Sequence, residues 1–224
     1  MAKQMFDADA LIEMFQNASA KQGAQLKQAS SQAVLASLQG RELSLKNIRG
    51  ALKQVAEAAS AGVAKNMTAG VDPEALLEKA VAGMDEAMLK AVEANRTALA
   101  TLTAQGADLR EKHLQKALDD LEKMEDSFFG AIKKAADGAG APLAGAWGPI
   151  LEKMQAGGTL SGAQATATAE QLAEQMQTAV RSSRAASMKA AQALAESYTA
   201  MVSGVLLGMS EALQAGGAAK KKSK

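Results

Sequence analysis

The sequence predicts an all-α protein: long amphipathic helices forming an antiparallel helical bundle or a coiled coil, with a Gly/Pro-rich loop and a disordered basic tail. Three observations carry this. Of the 224 residues, 52 are alanine, which has the highest intrinsic helix propensity because ordering its side chain costs no rotamer entropy. Leucine, isoleucine, valine and methionine recur at three- and four-residue steps over long stretches, the period of a helix face. Nowhere does a convincing strand-like alternation occur, and no internal repeat is present.

The first helix is expected over 7–67. Leu38, Leu45, Ile48, Leu52, Val55, Ala59 and Gly62 form its stripe. Leu11, Phe15, Ala18, Leu26 and Ala29 extend it less regularly towards the N-terminus. Gly23, Gly40 and Gly50 fall inside it, each about 1 kcal/mol less favourable than alanine in a helix; a kink or break is expected near Gly40. A clear boundary follows at 68–74. Gly70 suits a helix end, Asp72 an N-cap, and Pro73 the first helical position, where its missing N–H is not needed. Glu74 complements the positive end of the next helix dipole.

The second helix is expected over 73–137. Its stripe runs through Leu77, Val81, Met84, Met88, Val92, Asn95, Leu99, Leu102, Gly106 and Leu109. It then slips by one residue and resumes at Leu114, Leu118, Leu121, Phe128 and Ile132. Unbroken, it would be roughly 100 Å long, which reads as a bundle or coiled-coil seam. The segment 137–162 is Gly-rich, holds Pro142 and Pro149, and reads as a loop with one short helix at 149–156. Thr159 or Ser161 can cap the last helix, expected over 162–214, whose stripe includes Met176, Val180, Leu194, Tyr198, Met201 and Val205. Residues 1–215 thus read as a single elongated helical domain and 216–224 as a disordered basic tail.

Composition narrows the function. The chain has no cysteine and a single histidine, which excludes disulfide frameworks, thiolate sites and multi-histidine metal centres. Basic and acidic residues number 25 and 24, a balance unlike that of a general nucleic-acid binder. Four of the basic residues, Lys220, Lys221, Lys222 and Lys224, sit in the tail, so the body is mildly acidic. The longest nearly uncharged apolar run, 199–210, is short of the ~20 residues of a membrane span. With no secretory signal, a cytoplasmic protein without a transmembrane span is expected.

Chemistry-bearing motifs are sparse. His113 lacks an orienting partner in the sequence, and Arg110 holds the position that a Glu-x-x-His metal pair would need. Asp119, Asp120, Glu122, Glu125 and Asp126, interleaved with Lys116 and Lys123, read as a solvated helix face. The glycines of 137–162 lack the context of a phosphate loop. No catalytic residue, cofactor or metal site is expected. Gly204 and Gly208 form a G-x-x-x-G ridge that permits close helix approach. Trp147, in the Gly/Pro-rich segment, reads as a plug over one end of the bundle or as an interfacial anchor. The 12 methionines are adaptable apolar fillers, and so many small side chains predict a thin core. The residues expected at a partner surface are therefore Trp147, Met176, Val180, Leu194, Tyr198, Met201, Gly204, Val205 and Gly208, with the tail lysines as a basic handle.

Helices that keep their helicity while packing weakly suit a chain that lays its apolar stripe on a surface. Together with Ala-Asn95-Arg-Thr-Ala-Leu99, Ala-Glu196-Ser-Tyr198, Val-Leu-Leu-Gly-Met-Ser210 and the lysine-ending C-terminus, these features resemble the phasins, alanine-rich helical proteins that coat bacterial polyhydroxyalkanoate granules. The resemblance is one of composition over most of the chain. It implies a non-catalytic granule coat with a hydrophobic polymer or lipid surface as partner. The alternative reading is a self-associating helical scaffold or adaptor, a homo-oligomer built on the seams, at a membrane surface or elsewhere.

Overall fold

The computed structural model describes residues 7–41, 43–66, 71–105, 112–180, 197–207 and 209, with the side chains of 20, 113, 173 and 175–180 outside that description. Among the described residues the regular structure is entirely helical: α1 (Ala8–Gln16), α2 (Gly23–Leu38), α3 (Leu45–Asn66), α4 (Pro73–Ala104), α5 (Lys112–Glu122), α6 (Met124–Gly138), α7 (Ala141–Gly157) and α8 (Leu160–Val180). A 3-10 turn at Ala20–Gln22 leads into α2, and residues 197–207 are again helical. No helix among the described residues is long and apolar enough to cross a membrane.

The helix starts follow local chemistry. Asp7 accepts a hydrogen bond from the backbone N–H of Ala10 at 3.1 Å and opens α1. Asp72 accepts from the N–H of Glu74 at 3.0 Å, with Pro73 in the first turn of α4. Each aspartate satisfies a donor that has no partner inside the helix.

The structure divides the expected helix 7–67 into three. Residues 17–19 separate α1 from the turn before α2, and residues 39–44 separate α2 from α3. Gly40 has φ of 71°, a left-handed conformation that glycine adopts without strain. Gly50 stays inside α3, and Gly23 begins α2. The expected helix 73–137 is likewise divided. α4 ends at Ala104, α5 and α6 are separated by Lys123, and the one-residue slip of the stripe falls between α4 and α5. Gly106 lies outside the described residues.

The segment read as a loop is largely the helix α7. Pro142 lies in its first turn and Pro149 in its interior. Helix forms here because Leu143, Ala146, Trp147 and Ile150 recur at helical spacing and are all buried. Pro149 lacks the N–H that would meet the carbonyl four residues back; that residue is Gly145, which has no Cβ to add to the crowding. Gly140 (φ 83°) and Gly158 (φ 67°) bound the helix. α8 begins two residues before the expected helix 162–214. The basic tail 216–224 lies outside the described residues.

One hydrophobic core cluster joins the described helices. α4 is central: its largest interface is with α2, and it also meets α3, α7 and α8. Lys79 lies over Gly23, and Lys27 and Ser30 lie over Gly83, so α2 and α4 run in the same direction. Short connections make α3 return between them. α1 docks on α3, where the Asn66 amide donates to the carbonyls of Phe15 (2.9 Å) and Ala18 (3.0 Å). Among the described residues alanine is the commonest in the core, ahead of leucine, but Trp147, Phe15 and Phe128 are also fully buried. The core is therefore continuous, with alanines and large side chains side by side.

Candidate functional site

The residues expected at a partner surface are distributed as follows. Trp147 is buried and donates from Nε1 to Ser60 Oγ at 3.3 Å, tying α7 to α3. It faces the core and offers no interfacial anchor in this conformation. Tyr198 is buried, and its hydroxyl donates to Asn95 Oδ1 of α4. Met201 and Val205 are half-buried against the core, while Val202 and Leu206 are buried. The inward face of 197–207 therefore runs through Tyr198, Val202 and Leu206, one residue off the face through Met201 and Val205. Gly204 is exposed with open space where a Cβ would stand, so at this glycine the ridge packs against nothing described. Met176 and Val180 lie in α8, with side chains outside the described residues. Leu194, Gly208, Lys220, Lys221, Lys222 and Lys224 also lie outside them.

The groups considered for chemistry are absorbed by structure. Asp120 is largely buried and pairs with Lys116 at 2.8 Å. Asp119 accepts from the Gln115 amide at 3.1 Å. Among the described residues no cluster of acidic or histidine side chains is arranged to hold a metal ion. His113 lies in α5, and its side chain is outside the description.

The most elaborately built polar locus is the start of α8. The first N–H groups of a helix have no intrahelical acceptor. Here they are met one by one. Asp85 of α4 accepts from the N–H of Leu160 (Oδ2, 3.0 Å) and of Ser161 (Oδ1, 2.9 Å). Glu125 of α6 accepts from the N–H of Thr159 at 2.8 Å. Thr159 Oγ1 accepts from the N–H of Gly162 at 3.0 Å. The expected cap, Thr159, is thus present, but two carboxylates from other helices do most of the work, placed where the helix dipole favours negative charge. The fit is close: a Cβ on Gly162 would run into the Glu125 carboxylate, and one on Gly158 would stand 2.8 Å from its Oε1. Sequence reading missed Asp85 altogether and placed Glu125 on a solvated face. The one local signal was the Thr159/Ser161 pair after two glycines.

Along α8 the buried face then consists of Ser161, Gly162, Ala165, Thr168, Ala169 and Leu172. Thr168 Oγ1 is buried and has no hydrogen-bond partner. This face rests on α4, α5 and α6.

Charge pairs lace α4 to its neighbours. Glu86 lies between Lys90 (2.8 Å) and Lys27 of α2 (3.1 Å). The hydrogen bond from Lys90, seconded by Lys27 and opposed by partial burial, holds its carboxyl below the usual carboxylate range. Arg96 bonds Glu93 and lowers it in the same way. Lys153 of α7 reaches Glu78, with Glu74 at 3.9 Å, and its ammonium is held above the usual lysine value chiefly by the Glu78 hydrogen bond. A shallow groove of about 380 Å³ between α1 and α2 is lined by Glu13, Met14, Asn17, Gln22, Gln25 and neighbours. Met14 and Leu160 are the exposed large hydrophobic side chains among the described residues.

A family model of unknown function, DUF6781, matches residues 1–215. The chain belongs to the DUF6781 family. The match takes in every described helix, including the α8 docking site. No curated protein and no solved structure matches the chain.

Proposed function

We propose that this chain is a non-catalytic coat protein whose amphipathic helices cover a hydrophobic surface, with polyester storage granules of the kind that phasins coat as that surface. In this reading the free protein is a closed helical bundle in the cytoplasm, and the lysine tail is a solubilising handle. The observation that carries the reading is the make-up of the helix contacts. Among the described residues alanine leads the core, and the described face of α8 is held through glycine, serine, threonine and alanine with one leucine. Each buried methylene contributes roughly 0.8 kcal/mol, so a helix burying methyl groups gives up little when it exchanges its protein neighbour for another apolar surface. The high alanine content keeps it helical during that exchange.

The test is co-sedimentation of the full chain with polyhydroxybutyrate particles. Depletion from the supernatant that persists in high salt supports the reading, because apolar contact is not screened. A chain that stays in solution, or one released by salt, sinks it. Met14→Glu removes an exposed apolar side chain without entering the core and is expected to weaken adsorption.

A further inference from the structure

We propose that α8 is a detachable cover: it lifts from α4, α5 and α6 as a unit while the α1–α4 core stays closed. The proposal rests on the coat reading for its purpose, because the face uncovered is what would meet the surface. It stands on its own observations for the motion.

The described residues of the closed molecule have little to offer an apolar surface. Among the described residues, Met14 and Leu160 are its exposed large hydrophobic side chains, and Leu160 is the first residue of α8. For the described helices to offer more than these two side chains, one of them has to move. In its described part α8 is held mainly through small side chains. Its described buried face has one large side chain, Leu172, whereas α4 buries Leu76, Leu77, Met84, Met88, Leu99 and Leu102. Elements with few buried apolar contacts open at lower free energy than the global core.

Two polar features make the docked state conditional. The N–H groups that start α8 are satisfied by Asp85 and Glu125, which belong to α4 and α6. The first turn thus has its full set of acceptors only while docked, which makes release a change between two arrangements rather than gradual fraying. Thr168 Oγ1 is buried without a partner, as are the Ser30 and Ser31 hydroxyls of α2 and Asn95 Nδ2 of α4; on α8, where the described face sets a single leucine against it, it is a desolvation penalty that water relieves once the helix lifts. The first feature is a latch and the second a built-in bias towards release. Their opposition sets a small gap between closed and open forms, so that a ligand favouring one form shifts the population.

Hydrogen exchange of the full chain, resolved by segment, tests this. Amides of 163–172 are expected to exchange at least tenfold faster than those of 80–99 in α4. Asp85→Ala, which removes two acceptors, should speed exchange in α8 by about tenfold or more. Thr168→Val, which keeps the shape and removes the orphaned hydroxyl, should slow it by about fivefold or more. Exchange in α2 and α3 should not follow either change. Thr168→Val removes no hydrogen bond of the described structure, so the comparison survives if Asp85→Ala fails to fold. A single common rate for α8 and α4 in the natural chain, or variants that move every helix together, overturns the cover. Adsorption to polyhydroxybutyrate particles separates the two readings. If exchange divides as expected and adsorption is faster for Asp85→Ala and slower for Thr168→Val, both stand. If exchange divides but no variant adsorbs, the cover stands and the coat falls. If the chain adsorbs while exchange shows one unit, the cover falls and the coat stands.

Discussion

Glycine shows how much a single position depends on its neighbours. Gly83 of α4 lies against the Lys27 carbonyl and Ser30, and Gly62 of α3 against the Ile12 carbonyl and Phe15. Gly50, in the same kind of helical stretch, faces open space. Gly62 falls on the apolar stripe and Gly50 off it, but nothing in the sequence marks Gly83; the approach of a second helix is what sets it apart. Gly83→Ala is expected to destabilise the protein by about 1–3 kcal/mol, because the obstructing atom is backbone and cannot turn aside. Gly50→Ala is expected to stabilise it by about 0.5–1 kcal/mol, since a helix-interior glycine gains nothing there from its freedom. Urea midpoints that move in the same direction for both would refute this account. Asn66 is a second case. Its amide serves two carbonyls at the end of α1, and Asn66→Ala should cost about 1–3 kcal/mol in the same melts by leaving both groups buried and unpaired. Nothing in its sequence surroundings sets it apart, because its partners lie 48 and 51 residues away.

At the scale of elements, the large apolar side chains were legible and the small ones were not. Every stripe position from Leu77 to Leu102 is buried in α4, as the three- and four-residue steps predict. The same helix also buries Ala80, Gly83, Ala87, Ala91, Ala94 and Ala98. Alanine does not mark a face in a hydrophobicity pattern, so the breadth of that face, which lets α4 touch several helices, was invisible. The stripe slips between Leu109 and Leu114, and the one long helix that the sequence predicts there is two, α4 ending at Ala104 and α5 starting at Lys112. Glu86 ties α4 to α2, and its pKa has a consequence for pH. Its carboxyl is held down in the folded protein, so the folded state keeps its negative charge to lower pH than the unfolded chain does. The stabilisation is present at neutral pH, and it fades as pH falls below the ordinary carboxylate value of about 4.3 and through the lowered one. Glu86→Gln should therefore lower stability slightly at neutral pH, and its difference from the natural chain should shrink on acidification. The pair is half-exposed, so the effect is at most about 1 kcal/mol. A difference that grows towards acid pH, measured by urea melts over a pH series, would reverse the assignment.

At the scale of the whole molecule, the all-α class was legible from alanine content and helical period, whereas the docking site of α8 was not, because Asp85 and Glu125 stand 75 and 34 residues from the groups they bind. That architecture separates two ways of covering a surface. Either the whole set of helices unrolls, or α8 lifts and the rest stays packed. Trp147, the single tryptophan, distinguishes them, because it is buried in α7 against Ser60 of α3, in a part of the core that α8 does not need to hold closed. With α8 alone released, the indole stays out of contact with water. Acrylamide should then quench its fluorescence no better on polyester particles than in free solution, while far-UV circular dichroism keeps its helical signal because alanine-rich helices survive separation. In the same samples, amide exchange at 163–172 should change on adsorption and that at 80–99 should not. A Trp147 that becomes as quenchable as a free indole on adsorption would show α7 leaving α3. The coat would then be made by the entire unrolled chain, and the contacts that fasten α1 and α2 to α3 and α4 would be the ones that limit its spreading.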